Sequence, residues 1–286
     1  MTTDRILEPR AAGGRRFAGK IVVAGAGQGI GSATVRRVAQ EGGTVVIGDW
    51  VEETARKVCQ EVLDFGGQAR VHVGNYSEWE ACESLVNFSK TTYGRIDSMI
   101  IIVGGTIWNQ PFQYYTTEQM VAEINKSLWP TMWCVRAVLP TLIEQRGGSI
   151  VTLATHAVVG TNRVPYAAAK GGVIGLTTSV CKEVGQYGIR INCVAPSAAA
   201  ATDRVTPRDY NVNVAPSPNA PERRVRQMGE GEAFRGPREE RPLSAGLGRG
   251  ATAEEIAAAI AFMASDDASF ISGEVISVGG GESFPF

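Results

Sequence analysis

The regular alternation of short apolar runs with longer amphipathic segments is the feature that most constrains how this chain can fold. Seven strand-length runs are present: Ile21–Ala24, Thr44–Ile47, Ala69–Val73, Ser98–Val103, Ser149–Leu153, Ile189–Val194 and Glu274–Val278. The clearest helix-length segments are Ile30–Gln40, Glu52–Phe65, Glu78–Tyr93, Thr117–Leu139, Tyr166–Val184 and Ala253–Ala264. This alternation favours a parallel sheet with helices on both faces, and nearly continuous apolar strands are typical of such sheets. The chain is therefore predicted to be a single doubly wound α/β domain with a seven-stranded parallel sheet.

Two segments interrupt this pattern. Residues 1–16 are polar and rich in Gly and Arg, which predicts a flexible leader before a domain at 17–286. Residues 197–250 show no period and follow the sixth predicted strand, so they leave the sheet at its carboxyl edge, where ligands bind in such folds. A long irregular insertion there indicates a substrate lid, and the alternative is an ordinary surface loop.

Composition excludes several classes of function. Lys plus Arg number 28 against 29 for Asp plus Glu, so nothing indicates a nucleic-acid surface. The apolar runs are too short to cross a membrane, and the amino terminus lacks the apolar segment of a secretory signal. Five cysteines without C-x-x-C spacing indicate reduced thiols in a cytoplasmic protein, and two histidines make a metal centre unexpected. The expected partner is a small molecule, with no nucleic acid and no membrane.

The stretch Tyr166-Ala167-Ala168-Ala169-Lys170 carries the chemistry. Alanine favours helix, so Tyr166 and Lys170 are expected one turn apart on the same helical face. An ammonium there favours the phenolate and lowers the tyrosine pKa, which suits proton exchange with an alcohol. Taken alone the spacing is common, and an exposed Tyr and Lys that merely share a face is the alternative.

A glycine cluster, Gly25-x-x-x-Gly29-x-Gly31, lies between the first predicted strand and helix. Glycines there let the backbone approach a diphosphate at the helix amino terminus, although a tight turn would use them too. Asp49 ends the second predicted strand, where a carboxylate binds the ribose hydroxyls and repels a 2′-phosphate. Trp50 rather than an arginine follows it. NAD is therefore predicted over NADP, with a helix N-cap as the alternative role of Asp49.

These motifs, with Asn125, the segment Arg190 to Pro196 and Val278-Gly279-Gly280, together resemble the short-chain dehydrogenase/reductase family from about Phe17 to Gly281. Segments 103–108, 126–134, 162–166 and 278–281 are similar to the benzoate-type cis-dihydrodiol dehydrogenases within it. The resemblance implies a Rossmann-type, NAD-dependent oxidoreductase that oxidises 1,6-dihydroxycyclohexa-2,4-diene-1-carboxylate to a catechol with loss of carbon dioxide. It also implies a homo-oligomer, a tetramer or a dimer.

The same resemblance implies roles for individual residues. Tyr166 would be the general base, Lys170 would lower its pKa and hold the nicotinamide ribose, and the backbone of Asn125 would support a water in the proton relay. A kink caused by Pro130 is expected to free carbonyls for that water, and a tolerated helix proline is the alternative. The implied cofactor contacts are Gly25, Gln28, Gly29, Ile30, Gly31, Asp49, Trp50, Asn75, Tyr76, Val103, Gly104, Tyr166, Lys170 and Pro196.

The sequence departs from the family at its catalytic serine, where the usual Ser-Ser pair is Ala154-Thr155. Thr155 keeps a hydroxyl that can bind the substrate oxygen. His156 is a further candidate contact, with a pocket-wall or surface histidine as the alternative. Four more departures are Ala24 for threonine, Ile101 and Ile102 for paired asparagines, and Ser197 for glycine. Ala154, Ile101 and Ile102 are the argument for a different hypothesis, a nucleotide-binding protein without turnover.

Substrate specificity is expected from arginines and tryptophans near the site. A carboxylate would be bound by Arg163, Arg204 or Arg208, since guanidinium groups bind carboxylates bidentately, although loop arginines are more often solvated. Trp108 and Trp129 could wall an aromatic-sized pocket or simply pack in the core. A dehydrogenase of another secondary alcohol or ketone is the alternative within the same chemistry.

Overall fold

The computed structural model describes residues 16–19, 21–25, 27–197, 226–227 and 246–282. The nine strands are β1 (Ile21–Gly25), β2 (Thr44–Asp49), β3 (Gln68–Val73), β4 (Ser98–Ile101), β5 (Trp108–Asn109), β6 (Gly148–Leu153), β7 (Ile189–Pro196), β8 (Arg226–Gln227) and β9 (Val275–Val278). The seven α-helices are α1 (Ile30–Gln40), α2 (Glu52–Asp64), α3 (Trp79–Tyr93), α4 (Thr117–Ser127), α5 (Trp129–Gln145), α6 (Val164–Val184) and α7 (Ala253–Ala264).

Seven of the strands form one parallel sheet in the order β3-β2-β1-β4-β6-β7-β9. The chain moves outward from β1 to β3 and then returns to place β4 on the other side of β1. This reversal creates a crevice between the carboxyl ends of β1 and β4, where ligands bind in open α/β sheets. The predicted fold, a doubly wound seven-stranded parallel sheet of Rossmann type, is confirmed.

Two hydrophobic cores cover the two faces of the sheet. Helices α1, α2 and α7 pack on one face, with Val38, Val58 and Ile260 among their buried residues. Helices α3, α5 and α6 pack on the other, with Leu142 and Val184 buried against the strands. The inner positions of β2, β6 and β7 are mostly buried, which explains why most of them are apolar. The buried polar side chains of Ser149, Thr152 and Asn192 are hydrogen-bonded.

The structure divides the predicted helix Thr117–Leu139 into two helices, because the helical conformation is interrupted at Leu128. Leu128 has φ −115° and ψ −55°, and α5 begins immediately afterwards with Pro130 in its first turn. Proline has no N–H, so it is tolerated at the start of a helix and cannot bond to the carbonyl of Lys126. At the other end of α4, Thr116 and Gln119 form a capping box. Helix α4 is therefore a separate short element with its own beginning and end.

The amino edge of the sheet is closed by polar side chains that bond to the backbone. Asp97 accepts a hydrogen bond from the Ile21 N–H at 2.8 Å. The Gln145 amide pairs with both the N–H and the carbonyl of Ile96, at 3.0 and 2.6 Å. Arg190 donates to the carbonyls of residues 263, 265 and 271 at 3.0, 2.8 and 3.5 Å. The first of these bonds joins the amino ends of β1 and β4, and the others join the amino ends of β4 and β7 to the carboxyl ends of α5 and α7.

Beyond the main sheet, β5 and β8 form a two-residue antiparallel pair that the sequence analysis does not predict. Trp108 pairs with Gln227, and Asn109 pairs with Arg226. Residues 226–227 thereby lie beside the loop that follows β4. No helix in the described ranges is long and apolar enough to cross a lipid bilayer.

Candidate active site

Helix α6 carries Tyr166 and Lys170 toward the carboxyl edge of the sheet. Lys170 is 2% exposed, and its Nζ donates to the carbonyl of Val103 beyond β4 at 3.0 Å and to that of Leu153 at the end of β6 at 2.8 Å. Burial lowers the pKa of Lys170 from its ordinary 10.5 to about 8. Tyr166, one turn earlier on the same helix, is half-buried. The ammonium group is thus fixed between two strand ends, one turn from the tyrosine.

Thr155 follows β6 and caps the short 3₁₀ helix His156–Val159. Its Oγ1 accepts a hydrogen bond from the Ala157 N–H at 3.1 Å and donates to the Pro196 carbonyl at 3.3 Å. The bond to Pro196 is long and therefore weak, so the hydroxyl can turn to a substrate oxygen at small cost. Thr155 lies two residues beyond Leu153, whose carbonyl binds Lys170.

The loop after β4 runs close to both α4 and α6. Gly104 has φ +111°, and a Cβ added to it would lie 3.1 Å from the Ser127 Cα and 3.2 Å from the Lys170 Nζ. The Ser127 Oγ accepts from the Gly105 N–H at 3.2 Å. Only glycine fits this left-handed and crowded position, so Val103 and Gly104 are held directly beside the lysine.

The glycine turn between β1 and α1 has the features of a dinucleotide site. Gly29 caps α1 without a side-chain hydrogen bond, and the first turn of α1 contains no acidic residue, so its N–H groups suit a diphosphate. Asp49 at the end of β2 accepts from the Gly27 N–H at 2.5 Å and from the Val51 N–H at 2.9 Å. Burial raises the pKa of Asp49, and these N–H donors oppose the rise. A nicotinamide dinucleotide fits this donor and acceptor set.

The remaining predicted cofactor contacts lie at the same edge. Gln28 and Ile30 belong to the glycine turn, Trp50 follows Asp49 and is 40% exposed, and Pro196 ends β7. Asn75 is exposed beyond β3, where its amide donates to Glu78 at 2.9 Å. Tyr76 is different, because its ring is buried and its hydroxyl donates to the His72 carbonyl at 2.9 Å.

The predicted substrate residues are not all in one place. Trp108 is fully buried in β5, and Arg163, partly exposed, immediately precedes α6. His156 instead faces the last strand, with its Nε2 2.8 Å from the Ser277 Oγ and its Nδ1 3.8 Å from Glu282. The structure thus supports the alternative of a pocket-wall histidine. Arg204 and Arg208 lie outside the described residues.

Comparison with known proteins agrees with this geometry. Residues 19–212 match the short chain dehydrogenase family, and residues 214–283 match the family described as Enoyl-(Acyl carrier protein) reductase. The chain belongs to the short-chain dehydrogenase family. It is 37% identical over 269 residues to a 1,6-dihydroxycyclohexa-2,4-diene-1-carboxylate dehydrogenase of Acinetobacter baylyi, covering 94% of this chain and 98% of that one. The corresponding dehydrogenase of Pseudomonas putida is 34% identical, with 94% of each chain covered.

A solved structure supports the same assignment. A short chain dehydrogenase from Mycobacterium smegmatis superposes with a TM-score of 0.72 at 30% identity, covering 94% of this chain and 96% of that one. Membership of the short-chain dehydrogenase family makes this protein an oxidoreductase that acts on hydroxyl or diol donors with a nicotinamide dinucleotide. The prediction of an enzyme is confirmed.

Within this short-chain dehydrogenase, α4 contributes residues other than the one predicted from sequence. Asn125 is on the exposed side of α4, and its role remains a prediction. Ser127 and Glu123 are buried on the inner side and contact the loop after β4. Their spacing of four residues was a signal that they share a helical face, but only the fold shows that this face meets the loop.

Other parts of the molecule do not form the site. Among the described residues, no group of three or more His, Cys, Asp or Glu side chains could hold a metal ion. An open groove of about 1180 Å³ lies at the amino edge of the sheet and contains none of the predicted site residues. Ile101 and Ile102 pack in the two cores, one on each face of the sheet, and so replace polar contacts with apolar ones.

Proposed function

We propose that this protein is an NAD-dependent dehydrogenase of a ring cis-diol that carries a carboxylate, and that the product is a catechol. The observation that supports this most directly is the placement of Lys170 between the carbonyls of Val103 and Leu153, one turn from Tyr166 on α6 and with Thr155 two residues beyond Leu153. The two relatives named as dihydroxycyclohexadiene carboxylate dehydrogenases give the substrate class.

In this proposal Tyr166 takes the hydroxyl proton of the substrate. The buried Lys170 favours the phenolate, because a positive charge in a poorly solvated site interacts strongly with a nearby anion. Thr155 gives up its long hydrogen bond to Pro196 and donates to the substrate oxygen. A nicotinamide held beside Tyr166 and Lys170 would supply the acceptor for the hydride that leaves the ring carbinol carbon. The resulting ketone lies β to the carboxylate, so the bond to the carboxylate can break with loss of carbon dioxide. Its electron pair forms an enolate that completes the aromatic ring, and uptake of one proton on oxygen gives the catechol.

We propose NAD rather than NADP because of Asp49. Its carboxylate sits at the end of β2 within hydrogen-bond distance of the glycine turn, where it can bind ribose hydroxyls. A 2′-phosphate at that place would meet a buried carboxylate, and like charges in a poorly solvated site repel strongly. Gly25, Gly29 and Gly31 would lie beneath the diphosphate.

We propose that Arg163 binds the substrate carboxylate. It lies three residues before Tyr166, and its Nε is buried without a hydrogen-bond partner among the described residues. A buried guanidinium N–H without an acceptor is costly, so a carboxylate ligand would relieve that cost. Trp108 would form a wall of the ring pocket. Segment 197–250 would act as the lid, supported by the pairing of β8 with β5, and would supply Arg204 and Arg208.

The enzyme is further proposed to be a cytoplasmic homo-oligomer, a tetramer or a dimer. The odd number of cysteines without C-x-x-C spacing supports a reducing compartment. Size-exclusion chromatography with light scattering would measure the number of subunits directly.

The experiment that tests the function is reduction of NAD and of NADP by the benzoate cis-diol, beside plain secondary alcohols, for wild type and for Arg163→Met. Wild type is expected to turn over the diol with NAD, and Arg163→Met is expected to lose at least about tenfold in kcat/KM for the diol only. Turnover of plain alcohols alone would reject the carboxylate substrate and favour the alternative alcohol dehydrogenase. Cofactor binding without any turnover would favour the non-catalytic hypothesis.

A further inference from the structure

The buried carboxylate of Glu123 has no role in the mechanism described above. Its Oε1 accepts hydrogen bonds from two consecutive backbone N–H groups, those of Ile107 at 2.8 Å and Trp108 at 2.9 Å. The Thr106 hydroxyl lies 3.4 Å from the same oxygen. Successive N–H groups that converge on one oxygen form an anion-binding concavity. The loop between β4 and β5 is therefore folded around this carboxylate.

Burying Glu123 costs stability rather than adding to it. The residue is 0% exposed, and burial raises its pKa, although the two N–H donors and the nearby Lys126 oppose the rise. Among the described residues, its Oε2 is buried without a hydrogen-bond partner. An apolar residue of similar volume would normally avoid that cost. What the carboxylate contributes instead is to fix the conformation of the loop between β4 and β5.

Glu123 holds one end of a loop whose other end is held by the active site. Near β4, the Val103 carbonyl bonds to Lys170 and the Gly105 N–H bonds to Ser127. Glu123 precedes Ser127 by four residues, so both side chains leave the same face of α4. Loop 103–108 is thus fixed by Lys170 and Ser127 at its start and by Glu123 at its end.

The end fixed by Glu123 carries Trp108, the proposed wall of the substrate pocket. Trp108 follows directly, and its carbonyl accepts a hydrogen bond from the Tyr115 hydroxyl at 2.9 Å. It also begins β5, which pairs with β8 of the proposed lid. We infer that Glu123 is a positioning residue of the dehydrogenase, which sets the place of Trp108 and the lid strand relative to Lys170. This inference rests on the proposed function, because it concerns the substrate side of the same site.

The test uses variants that separate the acceptor oxygen from the charge and from the volume. Glu123→Gln keeps an oxygen at Oε1, and its amide takes the place of the unpartnered Oε2. Glu123→Asp keeps the charge but withdraws the oxygen by about one bond length. Leu142→Ala is the matched control, because it creates a cavity in the core near the amino edge of the sheet, away from the loop. Backbone amide hydrogen exchange at residues 107 and 108 and steady-state kinetics are measured for each.

The inference predicts that Glu123→Gln keeps slow exchange at 107 and 108 and a KM for the alcohol within about threefold of wild type. Glu123→Asp is expected to exchange at least about tenfold faster there and to lose about tenfold to hundredfold in kcat/KM, mainly through KM. Leu142→Ala should lower thermal stability and change neither quantity. Equal behaviour of Glu123→Asp and wild type, or Glu123→Gln as impaired as Glu123→Asp, would overturn the inference.

The exchange measurement also separates this inference from the proposed function. If wild type oxidises no hydroxyl substrate, the proposed dehydrogenase fails. Protection of the Ile107 and Trp108 amides by Glu123 can still be measured in the same protein, and fast exchange in wild type would reject the positioning role by itself.

Discussion

The two edges of the central sheet differ in whether their buried polar side chains are hydrogen-bonded. At the amino edge, Asp97, Gln145 and Arg190 each bond to backbone groups that would otherwise be left unpaired. At the carboxyl edge, Oε2 of Glu123 and Nε1 of Trp108 are buried without hydrogen-bond partners among the described residues. Satisfied polar groups hold a fold together, whereas unsatisfied ones cost stability and are retained where a ligand or a precise geometry requires them.

The difference teaches that stability and chemistry are supplied by separate parts of this fold. Lys170 combines both effects. Its ammonium group is hydrogen-bonded to the carbonyl oxygens of Val103 and Leu153, yet burial of the charge costs stability and lowers its pKa to about 8. Substitutions at the carboxyl edge should therefore reduce rate at nearly constant stability. Substitutions at the amino edge should reduce stability at nearly constant rate.

Tyr166→Phe is the substitution with the largest expected effect on that comparison. It removes the proposed base while keeping the ring, so kcat/KM is expected to fall by about a thousandfold, in the range typical of general acid–base catalysis. The free energy of unfolding should stay within about 0.5 kcal/mol of wild type. The change in kcat/KM is measured from nicotinamide absorbance, and the free energy of unfolding is measured by urea unfolding. A rate within tenfold of wild type would remove Tyr166 from the proton transfer.

Arg190→Met should have the converse effect at the amino edge. It leaves three carbonyls without their donor, so the free energy of unfolding is expected to fall by roughly 2–4 kcal/mol. Arg56→Met is the matched control, because the ion pair of Arg56 with Glu52 is exposed and its loss should cost well under 1 kcal/mol. If the loss of kcat/KM in Arg190→Met, converted to a free energy, exceeds the loss in free energy of unfolding, the two edges do not differ in the way described.

The lowered pKa of Lys170 predicts a smaller effect with a definite sign. Between about pH 8 and its ordinary pKa of 10.5, the unfolded chain binds the proton that the folded chain has released. The free energy of unfolding therefore increases with pH in this range, by at most about 1.4 kcal/mol per pH unit. Subtracting the urea-unfolding curves of Lys170→Met from those of wild type isolates this slope. A difference that is flat or falls with pH would contradict the burial of a charged lysine.

Asp49→Asn should give the smallest effect, confined to cofactor choice. Removing the negative charge relieves its repulsion of a 2′-phosphate, so the ratio of kcat/KM for NAD over NADP is expected to fall by about tenfold. Asp64→Asn, at the exposed end of the same helix that follows Asp49, is the control and should leave the ratio unchanged. If Asp49→Asn leaves it unchanged as well, Asp49 does not select the cofactor.

Much of the fold follows from sequence because its signals are local. The seven strands of the main sheet and most of the helices are visible from hydrophobic periodicity, since strands covered on both faces are mostly apolar. The break at Leu128 was missed as a boundary, because the periodicity continues across it and Pro130 is equally acceptable in the first turn of a new helix. The β5–β8 pair was missed because two paired residues give no periodic signal.

The candidate site was harder to predict because its partners are distant in sequence. Tyr166 and Lys170 are recognisable because their spacing fits one helical face. Glu123 and Ser127 have the same spacing, yet polar residues on an amphipathic helix are normally solvent-exposed, and only the path of loop 103–108 buries them. His156 was considered as a substrate contact from its neighbour Thr155, but its direction is fixed by Ser277, far along the chain.

The contact between His156 and the last strand has a consequence for directed evolution of this enzyme. A Cβ added to Gly279 would lie 2.5 Å from the His156 Cε1, so any side chain there must push the imidazole aside. Because His156 adjoins Thr155, we expect that displacement to shift the hydroxyl proposed to bind the substrate oxygen. A mutational scan should therefore show Gly279 as intolerant as an active-site position, although it would not touch the reactants. Libraries aimed at new substrates should leave it unchanged.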